Sequence, residues 1–211
     1  MKTPEFQIYQ CQNPDCHFRC PNDLTLREIK RCPVCGGAFL PQGEPFTNFQ
    51  PSPSQVAKRK VEIEVVLDNL RSTLNVGSIF RTADGAGVKH IHCCGTCPTP
   101  EHPKIKKSGL GAEELIAWTY HPNALDLVSR LKDDGKQIVC LEATPSSKPL
   151  FSTSIGGLQK IILVMGNEIS GIDPAILSIA DTVLDIPMAG RKTSINVAVA
   201  FGVAVYTLLN N

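Results

Sequence analysis

The chain has 211 residues, of which 42% are hydrophobic and 19% are charged, and its formal net charge is +1. This composition excludes a largely disordered protein, and no apolar run approaches the ~20 residues of a membrane-spanning helix. The segment from Met1 to Glu5 lacks the apolar core of a signal peptide, so we expect a cytoplasmic protein.

Because the net charge is close to zero, any phosphate-binding surface must come from local basic clusters. Taken alone, each such cluster is more typical of a solvated surface. The clusters are Lys58 to Lys60, the group Lys104, Lys106 and Lys107, and the pair Arg191 and Lys192.

Two short cysteine pairs lie near the amino terminus, and the second is part of a Cys-Pro-Val-Cys-Gly-Gly turn. Such turns direct both thiolates to one ion, and four thiolates suit tetrahedral zinc. A segment of about forty residues has too small a core to fold unaided, so bound metal would stabilise it. We therefore predict a zinc-ribbon-like domain over residues 1–40. The predicted ligands are Cys11, Cys16, Cys32 and Cys35.

The ligand set has alternatives, because His17 and Cys20 lie close to the first pair. We expect Cys20 to be a spare buried thiol. A disulfide or redox pair is the alternative chemistry, although cysteines of cytosolic proteins more often bind metal. The ribbon is as often a packing module as an RNA contact.

Residues 41–60 are rich in Pro, Gly, Ser, Gln and Asn and predict a linker, followed by a second domain over residues 61–211. Val61 to Leu67 alternates and then becomes wholly apolar, which predicts a strand entering a covered sheet. Next, apolar side chains from Val76 to Ala83 recur at helical spacing, and Asn75 is placed to cap the first turn.

The middle of the chain predicts strands near 88–94 and 136–142 and a helix over 122–134. Residues 96–120 predict a long, substrate-facing loop whose lysines contact phosphate. Cys93, Cys94 and Cys97 suggest a second metal site with nearby histidines. We interpret them as a chance cluster, because adjacent residues of a strand face opposite sides of the sheet.

The last third of the chain contains two short apolar runs that end in polar loops, at 160–171 and 185–196. A final helix is predicted over 194–209, with Thr193 or Ser194 as its N-cap. Its side chains are apolar nearly all round, which predicts burial on more than one side. A homodimer interface and the core of a monomer both fit this pattern.

Short strands that alternate with helices predict an α/β fold with a mostly parallel sheet covered on both faces. Ligand sites in such sheets lie beyond the carboxyl ends of the strands, here after Leu141, Met165 and Ile186. No G-x-G-x-x-G motif follows the first strand, so a dinucleotide-binding domain is disfavoured.

Several segments of the chain resemble motifs of one enzyme family. They are the stretch containing Asn75 and Arg81, the segment LVMGNEISGI at 163–172, the segment DIPMAGRKTSINVAVAFGVAVY at 185–206, and the segment CPTPEHPKIKKSGLGAEELIAW at 97–118. From about Val61 to its end, the chain resembles the SpoU/TrmH group of SPOUT RNA 2'-O-ribose methyltransferases.

The resemblance implies a C-terminal trefoil knot, an S-adenosylmethionine pocket, a homodimer, and transfer of a methyl group to a ribose 2'-hydroxyl of tRNA or rRNA. It implies that Arg81 orients the nucleophile and neutralises phosphate, and that Glu168 holds Arg81 or the site loops. The implied catalytic residues are Asn75, Arg81, Glu168, Ser194 and Asn196. The implied cofactor-binding residues are Leu141, Gly166, Ile186, Met188 and Ile195.

Two other functions remain open at this stage. A catalytically silent, zinc-bearing RNA-binding protein would carry the same fold, but the matching polar residues are all present. A base methyltransferase of the wider SPOUT group is disfavoured by the Asn75 and Arg81 pattern.

Overall fold

The computed structural model describes residues 4–26, 29–48, 61–154, 157 and 159–210. The chain divides into two compact units, Met1–Ala57 and Lys58–Asn211. In the described part of the chain, every helix is too short or too polar to cross a membrane.

The amino-terminal unit is built on a three-stranded antiparallel sheet. Its strands are β1 (Glu5–Cys11), β2 (Arg19–Asp23) and β3 (Phe39–Thr47), in the order β2-β1-β3. Its buried core consists of Tyr9, Phe39, Cys11 and Cys32, and the two aromatic rings have centroids 5.6 Å apart. A core of this size stabilises a fold only weakly, so the unit needs a further source of stability.

Strand β3 extends into the segment that the sequence predicts as a linker. Pro41 and Gln42 pair with β1, and after a register shift Phe46 and Thr47 pair with it again; Pro41 lies opposite Tyr9. Strand β3 contains Pro41 and Pro45, which are tolerated because β3 is an edge strand. On its open side there is no neighbouring strand, so a missing N–H group there breaks no hydrogen bond of the sheet. Residues 49–60 of the predicted linker, including the basic cluster Lys58 to Lys60, lie outside the described residues.

The carboxy-terminal unit is built on a seven-stranded sheet whose strand pairs are parallel. Its order is β6-β5-β4-β9-β7-β10-β8. The strands are β4 (Glu62–Asp68), β5 (His90–Cys94), β6 (Trp118–His121), β7 (Gln137–Leu141), β8 (Lys148–Pro149), β9 (Lys160–Met165) and β10 (Thr182–Asp185). The predicted α/β fold with a mostly parallel sheet is therefore confirmed.

Helices cover both faces of this sheet. They are α1 (Thr73–Ala86), α2 (Pro103–Gly109), α3 (Ala112–Leu115), α4 (Ala124–Asp133), α5 (Pro174–Ile179) and α6 (Val197–Asn210). One core includes Phe80 of α1 and Phe201 of α6, and the other includes Val128 of α4 and Ile176 of α5. Cys93 and Cys94 belong to different cores, as the alternation of a strand requires.

The prediction of a long loop over residues 96–120 was wrong. The segment forms α2, α3 and the start of β6, and Ile105 and Ala112 are buried in it. Helix α2 packs closely on α1, because a Cβ atom at Gly77 would clash with the Ser108 hydroxyl. Helices of one or two turns are too short to produce a helical period, so the sequence pattern did not reveal them.

Two predicted helix caps were also wrong. Helix α1 is capped by Ser72, whose Oγ accepts a hydrogen bond from the Asn75 backbone N–H at 3.3 Å. Helix α6 starts at Val197, and Asn196 Oδ1 accepts from the N–H groups of Ala198 at 2.9 Å and Val199 at 3.3 Å. The Asn75 side chain is therefore free of capping and can reach across to other elements.

A network of ionisable groups joins strands β4 and β5 to the residue before β7. Glu64 Oε2 lies 3.1 Å from His92 Nε2, and Glu64 Oε1 accepts from Lys136 Nζ at 2.6 Å. The hydrogen bond to His92, then that to Lys136, lowers the pKa of Glu64 from 4.5 to about 2 against the opposing effect of burial. The pKa values of His90 and His121 are also lowered, and burial is the largest cause for both.

We expect this network to make the protein acid-sensitive. The unfolded chain takes up protons at Glu64 and at the two histidines at higher pH than the folded chain does, so stability falls as the pH falls from about 6.5 to about 2. Glu64→Gln should lower the free energy of unfolding by about 2 kcal/mol at pH 7 and by progressively less as the pH falls below about 4.5. Urea titrations at pH 7 and pH 3.5 measure both values. The exposed Glu62→Gln on the same strand is the control, and an equal effect of the two substitutions at pH 7 would contradict the assignment.

Candidate active site

A cavity of about 410 Å³ lies where the loops after β7, β9 and β10 meet the start of α6. Its volume lies within the range of about 300–1,000 Å³ that is usual for small-molecule sites. Apolar side chains form one part of its lining, and carboxylate, amide and hydroxyl groups form the rest. The lining residues that the sequence predicts are Leu141, Gly166, Ile186, Met188 and Ile195, together with Asn75, Glu168, Ser194 and Asn196.

The loop after β9 closes tightly at its base. Asn167 and Gly171 form an isolated bridge in which each N–H donates to the other carbonyl at 3.0 Å. Asn167 Oδ1 also accepts from the N–H groups of Ile169 and Ser170. A Cβ atom at Gly166 would clash with Gly171 C and Ile172 N, so glycine is required where the two ends of this loop meet.

A chain of side-chain hydrogen bonds links three separate elements at the rim of the cavity. Asn75 Nδ2 of α1 donates to Glu168 Oε1 of the β9 loop at 2.9 Å. Asn196 Nδ2, just before α6, donates to Asn75 Oδ1 at 2.9 Å. Asn75 thus holds both neighbours in one orientation, because its amide oxygen and its amide nitrogen each have a partner.

Glu168 also binds the amino-terminal end of α1. Its Oε2 accepts from the Arg71 N–H at 3.0 Å and its Oε1 accepts from the Ser72 N–H at 3.0 Å. Burial acts to raise the pKa of Glu168, but the hydrogen bonds from Asn75 and from these backbone groups outweigh it and lower the pKa. The carboxylate therefore stays ionised, and both of its oxygens are engaged in fixing the loop to α1.

The structure places Arg81 away from this chain of bonds. Arg81 is exposed on α1 and does not line the cavity, and among the described residues Glu168 bonds the backbone of Arg71 and Ser72 instead of the Arg81 guanidinium. A second, more open cavity of about 480 Å³ shares Asn75, Glu168 and Ile169 with the first and is also lined by Arg71 and Ser72.

Sequence reasoning missed three polar residues of the first cavity. Glu142 directly follows β7, Asn167 follows Gly166, and Asp185 ends β10. Asn167 Nδ2 donates to Asn69 O at 2.6 Å, which ties the β9 loop to the end of β4. All three lie at the carboxyl ends of adjacent strands, where ligand sites are expected, so this position could have identified them from the sequence.

Residues 62–206 match the SpoU rRNA Methylase family. This chain belongs to that family. The match contains every residue of the cavity lining.

Two relatives of this chain are named as RNA methyltransferases. The tRNA (guanosine(18)-2'-O)-methyltransferase of Aquifex aeolicus is 31% identical over 156 residues, which cover 71% of this chain and 69% of that protein. The enzyme of the same name from Borreliella burgdorferi is 29% identical over 144 residues, which cover 68% of this chain and 64% of that protein. The chain thus spans 64% to 69% of the length of these two relatives.

A solved structure shares the fold of this SpoU-family chain. The AdoMet-bound rRNA methyltransferase of Sinorhizobium meliloti superposes with a TM-score of 0.66 at 25% identity. The superposition covers 82% of this chain and 64% of that one.

The four predicted metal ligands lie outside the SpoU match, in the amino-terminal unit. The sulfur atoms of Cys11, Cys16, Cys32 and Cys35 all lie within 4.8 Å of one another. The Cys11 and Cys35 sulfurs are 3.4 Å apart, and those of Cys16 and Cys32 are 3.8 Å apart. Four thiolates around tetrahedral zinc, with Zn–S bonds of about 2.3 Å, would be about 3.8 Å apart, so the group fits one metal ion.

Proposed function

We propose that this protein is an S-adenosylmethionine-dependent methyltransferase that modifies a ribose 2'-hydroxyl of tRNA or rRNA. The observation that carries the proposal is the Glu168–Asn75–Asn196 chain of hydrogen bonds at the first cavity, because Glu168 and Asn75 also line the second cavity. An enzyme that transfers a group between two substrates needs two adjoining binding sites with polar groups that orient the reacting atoms, and Asn75 and Glu168 lie where the two cavities adjoin. The named relatives support the same reaction.

The first cavity suits the cofactor. Leu141, Ile186 and Ile195 offer an apolar surface for an adenine ring, and backbone groups at Gly166 approach the cavity without a side chain between. When bound, S-adenosylmethionine supplies a methyl group from its sulfonium sulfur and leaves as the neutral thioether S-adenosylhomocysteine.

The residues of this chain would position the ribose 2'-hydroxyl, whose proton would pass to water as the methyl group is transferred. Glu168 is a positioning residue, because its oxygens already accept bonds from Asn75 and from the amino terminus of α1. Asn75, Ser194 and Asn196 offer neutral donors and acceptors to a ribose. Arg81 would hold an RNA phosphate from the exposed face of α1.

We also propose a homodimer, a C-terminal trefoil knot and a cytoplasmic location for this protein. Helix α6 leaves Val199 56% and Tyr206 43% exposed, and this apolar face supports a homodimer. Family membership supports a C-terminal trefoil knot, in which the loops after β9 and β10 would be interlinked. Thiolate metal ligands support a reducing, cytoplasmic setting.

The test is direct methylation. The purified protein is incubated with labelled S-adenosylmethionine and separate pools of unmodified tRNA and rRNA, and the digested nucleosides are identified by mass spectrometry. We expect a 2'-O-methyl nucleoside from one pool. Failure to bind S-adenosylhomocysteine in calorimetry would overturn the enzyme proposal and favour a catalytically silent RNA-binding protein.

We further propose that the amino-terminal unit holds one structural zinc ion on its four clustered cysteines. The support is the proximity of the four sulfurs and the N–H of Asn13, which donates to Cys11 Sγ at 3.4 Å. Such donors stabilise metal-bound thiolates.

The zinc proposal predicts one zinc ion per chain by elemental analysis. Cys16→Ser should lose most of the metal and unfold the unit, because a three-thiolate site binds far more weakly and the remaining core is small. The matched control is Cys20→Ser, since Cys20 is half-buried beside the same core. Equal loss of zinc from both variants would contradict the ligand set.

A further inference from the structure

The lining of the cofactor cavity is strongly one-sided in charge. Among the described residues that form it, Glu142, Glu168 and Asp185 carry carboxylates, and no lysine, arginine or histidine is present. An enclosed site lined by one sign of charge attracts ligands of the opposite sign, and its low dielectric strengthens the effect. The lining therefore distinguishes a cationic ligand from a neutral one.

Two of these carboxylates are already compensated by the protein. Glu168 accepts bonds from Asn75 and from the amino terminus of α1, where the helix dipole offsets negative charge. Asp185 Oδ2 accepts from the Ser147 hydroxyl at 2.7 Å. Hydrogen bonds and the helix dipole within the protein therefore offset part of the negative charge of these two carboxylates.

Glu142 is compensated less than Glu168, because one donor instead of three reaches its carboxylate among the described residues. It directly follows β7 and is half-buried, and the bond recorded for it among the described residues runs from the Ile172 N–H to Oε2 at 3.1 Å. A Cβ atom at Gly171 would lie 2.7 Å from the same Oε2, so the absence of a side chain there lets the carboxylate rest against the loop. One carboxylate oxygen accepts this hydrogen bond, and Glu142 is part of the cavity lining.

We propose that Glu142 is a specificity-determining residue that makes the cavity favour a cationic cofactor over its neutral product. This inference rests on the proposed function. S-Adenosylmethionine has a net charge of +1, because its sulfonium and ammonium exceed its carboxylate, whereas S-adenosylhomocysteine is neutral overall. Loss of the sulfonium charge removes the attraction to Glu142, so the residue assists exchange of product for fresh cofactor.

The test compares two ligands by calorimetry. Sinefungin carries an amine in place of the sulfonium and is cationic at neutral pH, and S-adenosylhomocysteine is the neutral counterpart. The wild type should bind sinefungin more tightly than S-adenosylhomocysteine. Glu142→Gln should reduce this preference by about five- to tenfold, because one unit charge at several ångströms is removed from a partly buried site. Glutamine keeps an oxygen for the Ile172 N–H, so the loop should stay in place.

The exposed Glu101→Gln is the matched control, since it removes the same charge far from the lining and should leave the preference unchanged. Raising the salt concentration should also reduce the preference of the wild type, a measurement that does not depend on folding of the variant.

Equal weakening of both ligands by Glu142→Gln would overturn the inference, because it would mean that Glu142 bonds a group common to both. If the preference for sinefungin over S-adenosylhomocysteine is unchanged both in Glu142→Gln and at high salt, the inference about Glu142 is also overturned. Normal binding of both ligands in that case would leave the proposed function intact. Failure of the wild type to bind either ligand would overturn both proposals.

Discussion

Gly166→Ala should abolish measurable cofactor binding. A Cβ atom at this position would clash with Gly171 C and Ile172 N and would lie 2.7 Å from Gly171 O. These are backbone atoms, so no side-chain rotation relieves the clash, and the base of the β9 loop must move. That loop positions Asn167, Glu168 and Ile169 in the cavity wall. We expect a loss of at least 100-fold in affinity for S-adenosylhomocysteine and a cost of about 1–3 kcal/mol in the free energy of unfolding.

Gly190→Ala provides the matched control for this substitution. Gly190 lies in the neighbouring loop between β10 and α6, and a Cβ atom there would meet nothing within 4 Å. We expect its calorimetric affinity and its urea midpoint to equal those of the wild type. Wild-type binding by Gly166→Ala would show that the β9 loop can shift without harm and that the cavity is not built on this close contact.

Asn75→Ala should reduce the rate of methyl transfer by about 100-fold, since preorganised hydrogen bonds at a reacting group are worth this much. The substitution removes the donor to Glu168 Oε1 and the acceptor for Asn196 Nδ2, so the three elements at the rim are no longer connected. Alanine favours a helix, and Ser72 still caps α1, so the helix itself should persist. Affinity for S-adenosylhomocysteine should change by only about threefold or less, because the two lost hydrogen bonds join protein groups to each other and none of them binds the cofactor.

Single-turnover assays measure the rate of methyl transfer by Asn75→Ala, and calorimetry measures its affinity for S-adenosylhomocysteine. Leu74→Ala is the control, because Leu74 is the neighbouring residue of α1 and is 64% exposed. It should retain the wild-type rate. Asn75→Asp should be at least as damaging as Asn75→Ala, because a second carboxylate would lie next to the ionised Glu168. A wild-type rate for Asn75→Ala would show that the hydrogen-bond chain serves only the fold.

The sequence alone determined the α/β class of the carboxy-terminal unit, its mostly parallel sheet and several of the segments that line its cavity. Runs such as Lys160–Met165 are short, almost wholly apolar and followed by glycine, and these properties are local. The Cys32 and Cys35 pair is equally local, because the turn that brings the two thiols together is contained in a few residues. Leu141 and Ile186 were predictable because parallel strands end at one edge of the sheet.

Only the tertiary structure decided how the polar side chains of the site are connected. Asn196 meets Asn75 across 121 residues of sequence, and Glu168 reaches the amino terminus of α1 across 96 or more. Only the structure showed helix α2 with its close packing on Gly77, and the close approach of Gly171 to the Glu142 carboxylate. Local spacing specifies helices, strands and turns, whereas hydrogen bonds between distant segments depend on which side chains the packed sheet and helices bring within reach.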